Sequence, residues 1–329
     1  MSWRRTIPAF FLVGSCVLSS VLFGSTPSFG QNYPTRYVRI ITAGAGTFHD
    51  IVARNLAQRL GERWGQAVVV ENQPAAGLTI GTGMVAKAAP DGYTLLLGDR
   101  TSLAAATSLY KGLRYDPVRD LLPITLVARA PAMLAVHPSI PSDSLNEFIA
   151  YLRRQTDAVH YAAAGVGTFS HLTGVQFEQL AGVKLLTVQY KGGGDASVAL
   201  LRGEAKFSFL PVPNVLSQLS AGKLKAFVVT STKRFEGAPG IPTGNEGGVP
   251  GLEAEQWVAM LAPAGTPGGI VQKLNHDIVE ISRTPAFRDI LLAQGATAAP
   301  GTPAELSAFM ASETVRLKKL IEASGLPTL

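Results

Sequence analysis

The chain has 329 residues, which is long for one average domain and comfortable for two. Hydrophobic residues make up 47% and charged residues 16% of it, so the chain can bury a substantial core and general disorder is excluded. The net charge is +6, but the basic residues are scattered along the sequence, which argues against a nucleic-acid-binding protein and only weakly favours an anionic ligand.

The first 30 residues predict an export signal. Arg4 and Arg5 give a basic start, an apolar stretch follows, and residues 28–30 provide small residues for cleavage before Gln31. The apolar stretch is short and interrupted for a membrane span. Cys16, the only cysteine, offers an alternative as a lipid-attachment site, but the residues after it stay apolar, which favours cleavage near Gln31. The sequence therefore predicts an exported, soluble protein whose mature form has no thiol, disulfide or cysteine metal site.

Apolar runs separated by turn residues predict alternating strands and helices in the first part of the mature chain. Strands are expected at residues 38–42, 67–71 and 93–97. Helices are expected up to Trp64, at residues 78–88 and at residues 103–110. This order predicts a parallel sheet with helices on both faces. Residues 122–136 are apolar and are broken by Pro123 and Pro131, and we interpret them as a crossing into a second lobe.

The second lobe is expected to repeat this plan before the chain returns. Helices are predicted at residues 144–154 and 195–201, and strands at residues 159–162, 185–190, 206–210 and 226–230. Residues 256–263 resemble a return crossing. Thr266-Pro267 and Thr302-Pro303 then predict two helix starts, each with Thr as the N-cap and Pro as the first helical residue, and Glu305 completes a capping box in the second. The C-terminal helices are therefore expected on the first lobe.

Two glycine loops, one in each half, have almost the same sequence. Residues 44–48 read GAGTF and residues 165–169 read GVGTF, and each loop follows an apolar strand and opens an amphipathic helix. Such a corner gathers free backbone N–H groups and the positive end of a helix dipole, which suits an anion. Thr47 fits an N-cap with Asp50 as its capping-box partner. The pair suggests two lobes that hold one small anionic ligand, although either loop alone could be an ordinary strand-to-helix turn.

Enzyme motifs are weak in this sequence. It has no Gly-x-Ser-x-Gly elbow and no phosphate loop, and its five histidines form no metal-binding pair. His49 and His171 lie at the two glycine loops, where ligand contact is one reading and a structural role the other. A dinucleotide fold is the main rival, since Gly44 and Gly46 open a helix and Glu71 ends the next strand, but His49 replaces the third glycine of that fingerprint. No cofactor and no metal are expected.

Many short motifs, in a characteristic order, run along nearly all of the mature chain. They include Tyr33-Pro34, Asp50-x-x-Ala53-Arg54, Gly65-Gln66, Ala76-Gly77, Ile80-Gly81, Pro90-Asp91-Gly92-Tyr93, Tyr115-Asp116-Pro117, Gly165-x-Gly167-Thr168, Tyr190-Lys191-Gly192, Trp257 and Ala262-Pro263-Ala264-Gly265-Thr266-Pro267. With these motifs the chain resembles the Bug-type, or TctC-like, extracytoplasmic solute receptors of tripartite tricarboxylate transporters.

The resemblance implies an α/β, two-lobed periplasmic binding protein of the type II kind, in which each lobe is a sheet with flanking helices and the two crossings form the hinge. The expected lobes are residues 31–129 with 254–329, and residues 130–253, after a signal peptide at residues 1–30. The implied function is that of a periplasmic monomer that captures a small organic anion, a mono- or dicarboxylate, and delivers it to the membrane components of the transporter. A receptor for a sensor kinase and a secreted enzyme are the alternatives.

The resemblance also implies that both glycine loops grip a ligand carboxylate through backbone N–H groups and bridging waters. The expected ligand-binding residues are Gly46, Thr47, Phe48, His49, Asp50, Ala76, Ser102, Gly165, Gly167, Thr168, His171, Tyr190, Lys191 and Gly192. Arg100 is a further candidate for selectivity. The chain departs from the family in its first loop, which lacks the usual proline, and at His49, where the family has a small residue. The resemblance therefore does not name the ligand.

Overall fold

The computed structural model describes residues 1, 3, 33–73, 75–157 and 159–326, without the side chains of residues 75 and 76. Apart from residues 1 and 3, the predicted export signal lies outside the described residues, and so does Cys16. Within the described ranges, no helix combines the length and the apolar character needed to cross a bilayer.

Strands and helices alternate along most of the described chain. The strands are β1 (Val38–Thr42), β2 (Val68–Asn72), β3 (Thr94–Asp99), β4 (Leu121–Val136), β5 (Val159–Ala163), β6 (Leu185–Gln189), β7 (Phe207–Pro211), β8 (Lys225–Val229), β9 (Glu255–Pro263) and β10 (Thr297–Ala298). The helices are α1 (Phe48–Trp64), α2 (Thr79–Ala86), α3 (Ala106–Leu109), α4 (Leu145–Arg154), α5 (Phe169–Ala181), α6 (Gly193–Leu201), α7 (Val212–Ser220), α8 (Gly268–Arg283), α9 (Pro285–Ala293) and α10 (Pro303–Ser324).

These strands form one continuous mixed sheet with two halves, in the order β2-β1-β3-β9-β4-β7-β5-β6, with β8 and β10 also paired to β4. In the first half, β1 lies parallel to both β2 and β3, and in the second half, β5 lies parallel to both β6 and β7. The predicted parallel arrangement is therefore present in each half. The antiparallel strands β4 and β9 lie between the halves.

Strand β4 connects the two halves. Residues 121–131 pair with β9, whereas residues 132–136 pair with β7 and β8. Pro123 and Pro131, which interrupt the apolar run in the sequence, do not interrupt the strand, and β4 is continuous over 16 residues. Pro123 stands where the register with β9 shifts, and Pro131 is the last residue paired with β9. A residue without an N–H group is tolerated at such positions. The exact lobe limits stay a prediction.

Helices cover both faces of the first half. Buried side chains of α1, α8 and α9 pack on one face, and side chains of α2 and α10 pack on the other. Leu172 of α5, from the second half, belongs to the same buried cluster as α10 residues, so the two halves are in contact. The core of the second half is rich in phenylalanine, with Phe148, Phe177 and Phe207 fully buried.

Only some of the predicted helix starts agree with the structure. The capping box at Thr302 is confirmed, since its side chain accepts the Glu305 N–H and the Glu305 carboxylate accepts the Thr302 N–H. The predicted Thr266 cap is wrong by one residue. Pro267 is the N-cap of α8, and the Thr266 hydroxyl donates to the Pro263 carbonyl instead. Helices α7 and α9 were not predicted, and the helix expected at residues 103–110 begins as a π-type turn, Thr101–Ala105.

Candidate functional site

The two glycine loops have the same local geometry. Thr47 is the N-cap of α1 and Thr168 is the N-cap of α5. Each threonine hydroxyl donates a 2.7 Å hydrogen bond to the carbonyl three residues earlier, at Gly44 and Gly165 respectively. Each hydroxyl oxygen also accepts an N–H group of the first helical turn. The repeated sequence therefore produces a repeated structure.

One backbone N–H group of each loop donates to a side chain of the helix that follows the loop. The Gly46 N–H donates to the Asp50 carboxylate over 2.9 Å, and the Gly167 N–H donates to Nδ1 of His171 over 3.0 Å. The predicted capping box of Thr47 and Asp50 is thus only half correct, because the Asp50 carboxylate accepts from Gly46 rather than from Thr47. N–H groups at the first positions of a helix have no intrahelical acceptor, so those of Phe48 and Phe169 remain for a ligand.

Asp50 is a buried carboxylate that fixes the first loop. Burial alone would raise its pKa, but hydrogen bonds from Arg54, Gly46 and Asn72 lower the pKa below its usual value. The Asp50 side chain is therefore ionised and fully engaged by the protein. It shapes the loop and has little capacity left for a ligand.

A cavity of about 320 Å³ separates the two loops, and both face it. Its wall consists of side chains or backbone from both halves of the sheet: Thr47, Phe48, His49, Ala130, Pro131, Ala164, Thr168, Phe169, Ser170, Gly193, Ala196, Phe209, Leu210, Pro211, Val212, Gln256 and Gln294. The N-terminal ends of α1, α5 and α6 thus converge on one space. Because each end carries a partial positive charge, the cavity suits an anion.

Of the predicted site residues, four lie on this wall: Thr47, Phe48, His49 and Thr168. Five more do not line it: Gly46, Gly165 and Gly167 belong to the two loops, and Asp50 and His171 belong to the first turns of α1 and α5. Three glycines at residues 192–194 follow β6, and of these only Gly193 lines the cavity. Tyr190, Lys191 and Gly192 do not line it, and the Lys191 side chain is exposed. Ser102 is fully buried. Ala76 belongs to a tight helical turn, Ala75–Leu78, and its side chain is outside the described part of the chain.

Gly167 occupies a position that only glycine fits. Its φ is +72°, and a Cβ placed there would lie 3.1 Å from both Cδ atoms of Leu109 on α3. The second glycine loop therefore packs directly on the first half of the molecule.

Several residues that line the cavity could not be recognised from the sequence as ligand-binding candidates. Ala130, Pro131 and Gln256 belong to the predicted crossings, where no contact to a ligand was expected. Phe209 and Leu210 belong to the strand predicted at residues 206–210, and Pro211 and Val212 had no predicted role. Gln294 ends the unpredicted helix α9 and comes near the start of α7, since a Cβ at the next residue, Gly295, would lie 2.5 Å from Pro213 Cδ.

His49 is held by a buried carboxylate at the edge of the cavity. Its Nε2 lies 3.1 Å from Oδ2 of Asp99, which is 6% exposed. The other carboxylate oxygen of Asp99 accepts the N–H and the hydroxyl of Ser102, both over 2.8 Å. Burial would raise the pKa of Asp99, but His49 and Ser102 lower it below its usual value. Ser102 therefore acts on the site through Asp99 rather than through direct contact.

Arg100 is a buried cation behind the wall. It is 2% exposed, its guanidinium carbon lies 5.2 Å from the ring centroid of Phe169, and its Nε lies 3.8 Å from a Glu313 oxygen. Its Nε and Nη2 are buried and have no hydrogen-bond partner among the described residues. Burial, and next the charge of Arg316, lower the pKa of Arg100 to about 10, so it stays positive at neutral pH.

We expect His171 to make the protein sensitive to mild acid. Burial lowers the pKa of His171, and its neutral Nδ1 accepts the Gly167 N–H. In the unfolded chain His171 has the ordinary histidine pKa of about 6.5, so the unfolded state binds a proton more readily than the folded state. The contribution of neutral His171 to the free energy of unfolding is therefore complete above that pH. It is lost as the pH falls towards the lower pKa of the folded state. A His171→Asn variant should lose less stability than the wild type between pH 7.5 and 5.5 in urea unfolding. An equal loss in both proteins would contradict this role.

Known proteins share both the sequence pattern and this architecture. The sequence model of the tripartite tricarboxylate transporter family receptor matches residues 52–326. Protein BugT of Bordetella pertussis is 35% identical over 303 residues, which cover 92% of this chain and 93% of BugT.

Two solved structures from Rhodopseudomonas palustris have the same fold. Rpa4515, solved with adipate, is 31% identical with a TM-score of 0.80, and the match covers 90% of this chain and 100% of that protein. MatC, solved with bound malate, is also 31% identical, with a TM-score of 0.74 and coverage of 88% and 100%. The predicted fold class is confirmed by these structures. The chain therefore belongs to the family of tripartite tricarboxylate transporter receptors.

Proposed function

We propose that this protein is an exported periplasmic receptor that binds a small organic carboxylate between its lobes and delivers it to a tripartite membrane transporter. The observation that carries the proposal is the convergence of both glycine loops on one cavity lined by helix N-termini. The adipate and malate found in the two solved relatives support a carboxylate as the ligand. Strands β4 and β9, which join the halves, provide the hinge on which the lobes would close.

The test is a thermal-shift screen of the mature protein against mono- and dicarboxylates, including adipate and malate. A ligand at 100 times its Kd stabilises the folded state by about 2.7 kcal/mol, which is a readily measured shift. A screen in which no carboxylate shifts the unfolding temperature would contradict the proposed function.

Replacing Thr168 with tryptophan should abolish the shift. Thr168 lines the cavity and caps α5, so the larger side chain fills the space and removes the hydroxyl that orders the loop. The matched control is Thr168→Ser, which keeps the hydroxyl and adds no volume, and which should keep the shift. If the tryptophan variant responds like the wild type, the second loop does not contact the ligand.

A further inference from the structure

His49 is chemically distinct from the rest of the cavity wall. Among the described residues that line the cavity, it alone has a titratable side chain, and the others are apolar or carry neutral hydroxyl, amide or backbone groups. The side chains of Phe169, Phe209, Leu210 and Val212 make much of the wall hydrocarbon. A charged contact from a side chain to a ligand in this cavity can therefore come only from His49.

Asp99 determines what His49 can donate. The carboxylate of Asp99 faces Nε2 of His49 from the carboxyl end of β3, and Ser102 holds its other oxygen in place. The buried carboxylate accepts a hydrogen bond from Nε2–H over 3.1 Å and fixes the orientation of the ring. The amide nitrogen of Gln256 on β9 lies 3.2 Å from Nε2 of His49 and 3.4 Å from Oδ2 of Asp99. When Nε2 of His49 carries a proton, the Gln256 amide donates to Asp99 instead.

The second ring nitrogen is left for the ligand. Nδ1 of His49 forms no hydrogen bond with any described residue, and the ring forms part of the cavity wall. An imidazolium whose Nε2–H is taken by Asp99 presents Nδ1–H as its remaining donor. A charged donor to a carboxylate is about twice as strong as a neutral one. The lining residues from Phe209 to Val212 offer no charged side chain to a second anionic group.

We propose that His49 is the charged donor that selects for a carboxylate, that Asp99 is the residue that positions it, and that the ligand has an otherwise uncharged, largely apolar body. This inference rests on the proposed function and narrows its ligand to monocarboxylates. The first loop and Asp99 are about fifty positions apart, so the selecting unit forms only when the C-terminal ends of β1 and β3 lie side by side in the sheet.

The test uses ligand pairs that differ only in charge: hexanoate against hexanamide, and benzoate against benzamide, with adipate as a dicarboxylate. Affinities are measured by isothermal titration or competition. The wild type should prefer each acid over its amide by about 100-fold and should bind hexanoate more tightly than adipate. In His49→Gln, which keeps a neutral polar group, the acid preference should fall to about tenfold or less. His276 is exposed on α8. The variant His276→Gln is therefore the matched control and should keep the wild-type preference for acid over amide.

Asp99→Asn separates positioning from direct contact. The asparagine oxygen can still accept from Ser102, so the turn is preserved while the charge that faces His49 is removed. The variant should bind hexanoate about tenfold more weakly and hexanamide unchanged, and the double variant should be no weaker than His49→Gln alone. A structural defect would instead weaken acid and amide equally.

The outcomes distinguish this inference from the proposed function. An acid preference that survives in His49→Gln, or tighter binding of adipate than of hexanoate, overturns the inference and leaves the receptor function in place. A wild type that binds neither hexanoate nor benzoate overturns the inference, and one that binds no carboxylate in the thermal-shift screen overturns both. If the losses of hexanoate affinity in His49→Gln and Asp99→Asn add up in the double variant, the positioning role of Asp99 is overturned and the role of His49 stands.

Discussion

Replacing Gly174 with alanine should destabilise the protein by about 1–3 kcal/mol, the usual cost of overpacking a tight core. Gly174 lies inside α5, and a Cβ there would be 2.4 Å from Cε1 and 2.7 Å from Cζ of Tyr161. The Tyr161 ring is fully buried and packs on Phe207 and Phe209, so it has no space into which to move. The free-energy cost of this clash should exceed the gain of about 1 kcal/mol in helix propensity that alanine has over glycine.

The same substitution should also weaken ligand binding. The Tyr161 hydroxyl donates to the carbonyl of Ser170, in the first turn of α5, and Ser170 lines the cavity. A displaced ring therefore shifts the turn that carries the second glycine loop. We expect a lower unfolding midpoint in urea and a reduced thermal shift with the carboxylate identified in the screen.

Gly83→Ala is the matched control. Gly83 lies in α2, where a Cβ would meet only Tyr115 Cδ1 at 3.7 Å, an ordinary contact. This alanine should be neutral or stabilise the protein by up to about 1 kcal/mol, because it improves helix propensity without a clash. Two glycine-to-alanine changes with equal effects would show that the contact with Tyr161 does not decide the cost.

Sequence reasoning predicted the local features of the site well. The strand–glycine loop–helix corners at Thr47 and Thr168 depend on residues within a few positions of each other. The N-cap predicted at Thr47 is present, and Thr168 forms the same cap without having been predicted to do so. Their convergence on one cavity followed from the repeat together with two crossings. Helices α7 and α9 were missed because each is short and has a proline in its first turn, which also reads as a loop.

The contacts of His49 with Asp99 and Gln256 could not be predicted because they depend on strand pairing. Asp99 lies opposite Val258 in the antiparallel pair of β3 and β9, and Gln256 comes two residues before Val258 in β9, on the same face of the sheet. His49 joins them because β1 lies beside β3. The sequence predicted a parallel sheet but neither its strand order nor the antiparallel register, so Asp99 and Gln256 had no visible connection to His49.

The largest effect on stability is expected at Glu313, where alanine should cost about 3–5 kcal/mol. Its carboxylate, on α10, accepts from Trp257 Nε1 over 3.2 Å and from Arg316 over 2.7 and 3.0 Å. It also lies 3.8 Å from Nε of the buried Arg100. Without Glu313, the Arg100 charge loses its nearest ion-pair partner, and the indole N–H of Trp257, on the strand β9 that joins the halves, loses its acceptor.

Two further variants identify the cause of this cost. Glu322→Ala removes an ion pair on the same helix, but Lys318 and Glu322 are 62% and 63% exposed, so its effect should stay within about 1 kcal/mol. Arg100→Met in the Glu313→Ala background removes the unpaired charge and should recover part of the loss in urea unfolding, because an uncharged side chain of similar length is cheaper to bury. If the double variant is less stable than Glu313→Ala alone, then Arg100 is not destabilising in the absence of Glu313, and the main contribution of Glu313 is its hydrogen bonds to Trp257 and Arg316.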